Sequence, residues 1–141
     1  MFEQCLYFNT TALARLLERA WTQAFAPLGL TPAQAFMLRV VLEKPGLLQR
    51  ELAAELSIAR ATATRTLDGL QRLGLIERRN TARDGREFAI HPGEQALAMR
   101  EPIVAASAEV TKRLRRQLGV AQFEALVGGL HGVRQALGPT E

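Results

Sequence analysis

Apolar residues along the chain recur mostly at three- and four-residue steps, the period of helices packed by one face. Leu6, Leu13, Leu16, Leu17, Ala20 and Ala24 share one stripe, which predicts a long amphipathic helix over Phe2 to Phe25, stopped by Pro27 and Gly29. A second helix restarts in "LTPAQAFMLRVVLEKPG", with Thr31 as N-cap, Pro32 at the first helical position, and an end before Pro45-Gly46. Next come a short helix from about Gln49 to Leu56, a tight turn at Ser57-Ile58 and a longer helix from about Arg60 to Leu73. Leu52, Ala53, Leu56, Ile58, Ala63, Leu67 and Leu70 are spaced to pack these two helices at a steep angle, and small Ala53 permits close approach, a helix-turn-helix pattern.

The period then changes. Leu75-Ile76 opens one strand-like run and Phe88 to Ile90 forms another, with a polar loop between them, so a hairpin wing follows the helix pair directly. Beyond Pro92-Gly93, the segment Glu94 to Leu118 carries Leu97, Ile103, Val104, Val110, Leu114 and Leu118, and Pro102 either kinks it or marks a restart. A last helix from Val120 to Leu137 places Phe123, Val127, Leu130, Val133 and Leu137 at helical steps. The fold class is therefore mainly α with a small β-hairpin wing: a winged helix-turn-helix core over 31–91, flanked by terminal helical regions over 1–30 and 92–141 in one 141-residue domain.

So short a chain has little left to cover the stripes of its terminal helices, and a second copy of the same chain is the economical cover, making those regions dimerisation helices. Gly128-Gly129 inside the last helix admits two readings: two backbones approach there, or Gly128 ends the helix early.

Composition narrows the functional classes. No apolar run approaches the roughly 18 residues of a membrane span, and "MFEQCLYFNT" lacks the basic-then-apolar order of a secretory signal, so a cytoplasmic location is expected. The single cysteine, Cys5, excludes an internal disulfide and a multi-cysteine metal site. His91 and His131 show no ligand spacing, and neither a metal nor a cofactor is expected. The chain offers no phosphate-cradling glycine loop, nucleophile elbow or tight histidine-carboxylate cluster, which argues against an enzyme.

Charge adds a partner class. The formal net charge is +4, and between Ser57 and Ile90 seven arginines (Arg60, Arg65, Arg72, Arg78, Arg79, Arg83, Arg86) face four acids (Asp68, Glu77, Asp84, Glu87). Such uneven basicity is either a solvated face or the footprint of a polyanion, and its place on a helix-turn-helix favours double-stranded DNA. The second helix of that unit enters the major groove and reads with its first turns, here "ARATATRT" from Ala59 to Thr66. Arg60 and Arg65 can each offer a two-pronged donor to guanine, while Thr62 and Thr64 can bond phosphates or bases. In the wing, Arg83 and Arg86 are the candidates for a minor groove. Arg78 and Arg79 are divided between phosphate contact and an internal ion pair with Asp84 or Glu87.

The stretch "LQRELAAELSIARATATRTLDGLQRLGLIERRNTARDGREFAIHPGEQAL" resembles the winged-helix core of the MarR family of bacterial transcription regulators. The likeness rests on the passage from Thr62 through Arg78, on the wing motif Asp84-Gly85-Arg86, and on "LGLTPAQAFML" before the core, and it covers nearly the whole chain. Two departures stand out: Ala59 replaces the usual serine N-cap, and Ile90-His91-Pro92-Gly93 carries its glycine one position early. The resemblance implies a homodimer joined through both terminal segments, a near-palindromic operator, and repression until a signal arrives. Cys5 is placed like the sensor cysteine of the family's hydroperoxide-sensing branch, with Tyr7 and Arg15 as supporting donors; its alternative is a small buried hydrophobe. The other route is a small-molecule effector in a pocket walled by Trp21, Phe25, Phe36 and Met37. The competing function is a winged-helix architectural DNA-binding or protein-interaction module without operator specificity.

Overall fold

The computed structural model describes residues 1–81 and 87–138. It contains α1 (Leu6–Phe25), α2 (Pro32–Glu43), β1 (Leu47–Leu48), α3 (Gln49–Glu55), α4 (Arg60–Arg72), β2 (Ile76–Asn80), β3 (Phe88–Pro92), α5 (Arg100–Leu118) and α6 (Val120–Leu137), with 3-10 turns at Ala26–Leu28 and Leu97–Met99. The mainly helical class with a small antiparallel sheet matches the pattern expected from the sequence.

α1 starts at Leu6 rather than Phe2 because the preceding residues are tied off outside the helix. Cys5 is extended and its Sγ accepts from the Phe8 backbone N–H, while Asn9 Nδ2 donates to the carbonyls of Glu3 and Cys5 at 2.9 Å each. At the other end Gly29 takes a left-handed conformation (φ 72°) and turns the chain into α2. There Thr31 and Gln34 exchange bonds reciprocally, Gln34 N–H to Thr31 Oγ1 at 3.1 Å and Thr31 N–H to Gln34 Oε1 at 3.0 Å. Trp21 Nε1 donates to Ser107 Oγ at 3.0 Å and joins α1 to α5.

Between α3 and α4 the turn closes by two bonds, Ser57 N–H to Ala54 O and Ile58 N–H to Ala53 O, the Schellman pattern that ends a helix. Its left-handed position falls on Ser57 (φ 55°), the one non-glycine with positive φ among the described residues. Ser57 Oγ also accepts from Arg134 of α6 at 2.8 Å. The core lies where α2, α3, α4 and the sheet meet α5, with Phe25, Met37, Leu38, Leu52, Leu67, Leu70, Ile90 and Ile103 fully buried.

β1 is an addition to the expected hairpin. Leu47 and Leu48 pair with Ile90 and Ala89, giving a three-stranded sheet in the order β1-β3-β2. Two residues are too few to show a period of two, so the strand has no signature of its own. In the wing ladder Ile76 pairs with Pro92, Arg78 with Ile90 and Asn80 with Phe88.

Pro102 marks a restart: α5 begins at Arg100, so the proline sits in its first turn, where no intrahelical donor is lost. Arg100 Nη2 caps the Leu42 carbonyl at 3.0 Å. α6 runs unbroken to Leu137, so Gly128 does not end it. Its inner side is held by Arg115, stacked over Phe123 at 5.0 Å, and by the Arg134 bond. Much of the remaining apolar surface of α1 and α6 is exposed, including Leu6, Tyr7, Leu16, Val127, Val133 and Leu137. Among the described residues no single helix is long and apolar enough to cross a membrane.

The early glycine after the wing has a steric reason. A Cβ on Gly93 would stand 2.3 Å from the Gly74 carbonyl oxygen, because Gly93 N–H bonds Leu75 O at 2.8 Å and draws the two backbones together. Gly93→Ala is therefore expected to lower unfolding stability by about 1–3 kcal/mol, as overpacking against backbone does; an unchanged urea midpoint would show that the junction yields freely.

Candidate nucleic-acid interface

The face of α4 that avoids the core opens on a groove. Ala63, Leu67 and Leu70 are completely buried and fix the helix roll, which leaves Arg60, Thr64, Asp68 and Gln71, at steps of four, four and three, on one outward face. The groove, about 680 Å³, is closed on its other sides by Leu48, Gln49 and Arg50 at the start of α3 and by Arg78, Glu87 and Phe88 of the wing.

The predicted readers do not share one environment. Arg60 and Arg65 are exposed, with Arg65 one residue round the helix from Thr64 and within 3.5 Å of Thr62 Oγ1. Thr64 lies in the groove, where its hydroxyl accepts from Gln49 Nε2 at 2.7 Å and donates to the Arg60 carbonyl at 3.1 Å. Thr62 is half-buried and faces away, lining a second cleft. The N-cap of α4 is Ala59, which offers no side-chain acceptor, as the missing serine foretold.

The wing base departs from the expected pairing. Arg78 is not paired with Glu87; its side chain is only 16% exposed, with Nη2 at 2.7 Å from Asp68 Oδ1 and 3.4 Å from the Thr64 carbonyl, and Nη1 at 2.5 Å from Gln71 Oε1. Glu87 instead accepts from Arg50 Nε at 2.9 Å, because α3 stands beside β3 and brings Arg50 closer. Arg79 remains exposed and pairs with its neighbour Glu77 at 3.2 Å. Arg83 and Arg86, with Asp84, lie outside the described residues.

These pairs decide the local electrostatics. Among the described residues Asp68, Glu77 and Glu87 each hold an arginine, whereas Arg60 and Arg65 hold no carboxylate. The acids are thus neutralised where they stand, and the unspent positive charge sits on the first two turns of α4. Sequence reasoning missed Gln49, Arg50, Asp68 and Gln71. The three-residue step from Asp68 to Gln71 was visible, but their convergence on Arg78 depends on how β2 docks.

The second cleft, about 530 Å³, lies between α1 (Ala14, Leu17, Glu18, Trp21), α2 (Pro32, Ala33, Phe36) and the helix-turn-helix (Leu56, Ile58, Thr62). It corrects the expected walls: Trp21 and Phe36 line it, but Phe25 and Met37 are fully buried in the core, Phe25 edge-on to Phe36 at 6.1 Å between centroids. Cys5 is exposed, not a buried hydrophobe, and among the described residues no hydrogen bond joins it to Tyr7 or Arg15. No group of three metal-ligating side chains occurs among the described residues.

Comparison with known proteins places this arrangement. The model described as MarR family matches residues 28–87, which take in α2, α3, α4 and the first wing strand and stop just before β3. A curated protein of Thauera aromatica, described as a transcriptional regulatory protein for the hcr operon, is 37% identical over 79 residues, 54% of this chain and 48% of that protein. The chain thus spans about half the length of the curated relative it matches. The transcriptional repressor CouR, solved bound to a 23-mer DNA duplex, superposes with a TM-score of 0.85 at 26% identity, covering 94% of both chains. The Mycobacterium tuberculosis regulator MosR, solved in complex with DNA, gives 0.82 at 27% identity, covering 94% of this chain and 96% of its own.

Proposed function

We propose that this chain, which belongs to the MarR family of transcription regulators, works as a homodimeric repressor in the cytoplasm, docking α4 of each copy in successive major grooves of a near-palindromic operator. Members of the family are regulators of transcription rather than enzymes. The observation that carries the reading is the pair Arg60 and Arg65, exposed on the opening turns of α4 beside a groove whose acids are already neutralised. The two relatives solved on DNA support it by analogy. In this reading Arg60 and Arg65 contact base edges and Thr64 and Arg79 contact the backbone. Thr62 acts from the margin, Arg83 and Arg86 enter the minor groove, and Arg78 belongs to the same interface.

Arg60→Ala and Arg65→Ala should each cost about 1–3 kcal/mol of discrimination between operator and random duplex. Competition binding checks this; an even loss across all sequences would assign the chain to architectural binding instead.

The dimer seam is drawn from α6. Ala121, Ala125, Gly128, Gly132 and Ala136 follow at steps of four, three, four and four, so small residues form one stripe, on the side away from Phe123 and Arg134. A Cβ at Gly128 or Gly132 would meet nothing within 4 Å in the single chain, so no intrachain packing requires these glycines. Gly128→Leu should weaken self-association roughly 10- to 100-fold, equivalent to about 1–3 kcal/mol of overpacking. Sedimentation at micromolar concentration tests it; a wild-type chain that sediments only as monomer removes the dimer altogether.

Release of DNA is assigned to a small, largely apolar effector in the cleft of Trp21 and Phe36. Thiol oxidation is the second reading, favoured by the exposure of Cys5. On treatment with an organic hydroperoxide, an oxidation switch requires wild type to leave DNA while Cys5→Ser stays bound; equal behaviour of the two takes Cys5 out of the mechanism.

A further inference from the structure

A carboxylate in a groove that receives phosphodiester backbone needs a reason, since it repels the ligand. Asp68 stands there on the reading side of α4, 47% exposed, two turns beyond Arg60. Its only described partner is Arg78, whose guanidinium is turned inward: one nitrogen serves Asp68 and the Thr64 carbonyl, the other Gln71. All three acceptors belong to α4, whereas Arg78 belongs to the first wing strand. Across the hairpin Glu87, just before β3 at the loop end of the ladder, is held by Arg50 of α3. The wing is therefore tied twice, once to each helix of the helix-turn-helix: from the middle of β2 to α4 and from the loop end of the ladder to α3.

From this we infer that Arg78 is a positioning residue and not a DNA contact: with Asp68 as its anchor it fixes the angle between α4 and the wing, and so the sequence discrimination of the interface. The inference rests on reading this groove as the DNA interface and revises one residue of that reading. The planar fork reaches its three acceptors from two separate nitrogens, Nη1 for Gln71 and Nη2 for Asp68 and the Thr64 carbonyl. A lysine ammonium in the same place keeps the charge and three donors but gathers them at one point, not in that geometry. A rigid angle matters because base contacts from α4 and minor-groove contacts from the wing must be met together, and a loose wing gives up one set to make the other. Asp68 thus contributes through what it holds, against the sign of its own charge.

That opposition of signs supplies the test. Wild type, Arg78→Lys, Arg78→Gln and Asp68→Asn, each first checked for native circular dichroism, are compared on the selected operator and on random duplex across a salt series, and amide hydrogen exchange of the free proteins is followed in β2 and α4. Arg78→Lys and Asp68→Asn should each lower the operator-to-random affinity ratio about tenfold, the scale of one charge-assisted hydrogen bond. Asp68→Asn should meanwhile hold or raise affinity for random duplex. The salt slope should stay that of wild type in Arg78→Gln, and exchange in β2 should quicken in both Arg78→Lys and Asp68→Asn. The proposal is overturned if Arg78→Lys keeps the ratio, or if Arg78→Gln loses affinity evenly with a slope reduced by about one, the mark of a lost phosphate contact. It is equally overturned if Asp68→Asn binds every duplex more tightly with the ratio intact. Should wild type itself not discriminate, the reading of the groove fails; unchanged exchange in Asp68→Asn then overturns the clamp as well, and faster exchange supports it.

Discussion

A helix that is to be read from one side has to be held from the other, and the structure is organised around holding α4. Leu67 and Leu70, fully buried beneath it, contribute about 1.5–3 kcal/mol each by burial alone, and Ala63 lets its first turns lie close to the layer below. With that face committed, the helix cannot roll, and the outward direction of Arg60, Thr64 and Asp68 follows from period alone. α2, α3 and the sheet serve as the seat for this one helix, and Ile90 of β3 reaches the same core, so the wing is seated by the same apolar layer.

Electrostatics finishes what packing begins. The core is apolar and cannot fix the wing's orientation finely, because dispersion contacts have no direction. Charged forks do. Arg78 on α4 and Arg50 on Glu87 are directional and lie at the edge of the core. Being partly exposed they add little stability, since pairs of this kind are worth roughly 0–1 kcal/mol, and their effect is geometric. They also silence acids near the groove, so a modest net charge of +4 still leaves, among the described residues, an uncompensated positive edge where α4 begins.

What the sequence made legible follows the same division between periodic burial and convergence. α6 ran from Val120 to Leu137 as its stripe predicted, and α4 ended within a residue of expectation, because apolar steps of three and four record the buried side directly. Thr31 and Gln34 announced the start of α2 by a local exchange of bonds. The pairing of Arg78 with Asp68 was not legible: ten residues separate them, and Glu87 stood as plausibly near in sequence. β1 was hidden for a related reason, its two leucines becoming a strand only because β3 has a free edge beside them. Phe25 and Met37 were misread as pocket walls because aromatic and sulfur side chains at helical spacing look alike whether they line a cleft or fill a core.

The cleft and the reading helix are not independent bodies. Leu56 and Ile58, on either side of the cleft-facing turn, bracket the exposed Ser57, whose left-handed backbone is a conformation that costs a non-glycine residue. Thr62 forms part of the cleft wall and belongs to α4 itself. A ligand that widened the space between Trp21, Phe36 and this turn would therefore push on the first turn of α4, and a close-packed interior passes such a displacement on as movement rather than absorbing it. Arg134 holds the same serine from α6, on the face of that helix opposite its stripe of small residues. The opening turns of α4 thus lie between the cleft and the last helix. A change at either has a short physical path to Arg60.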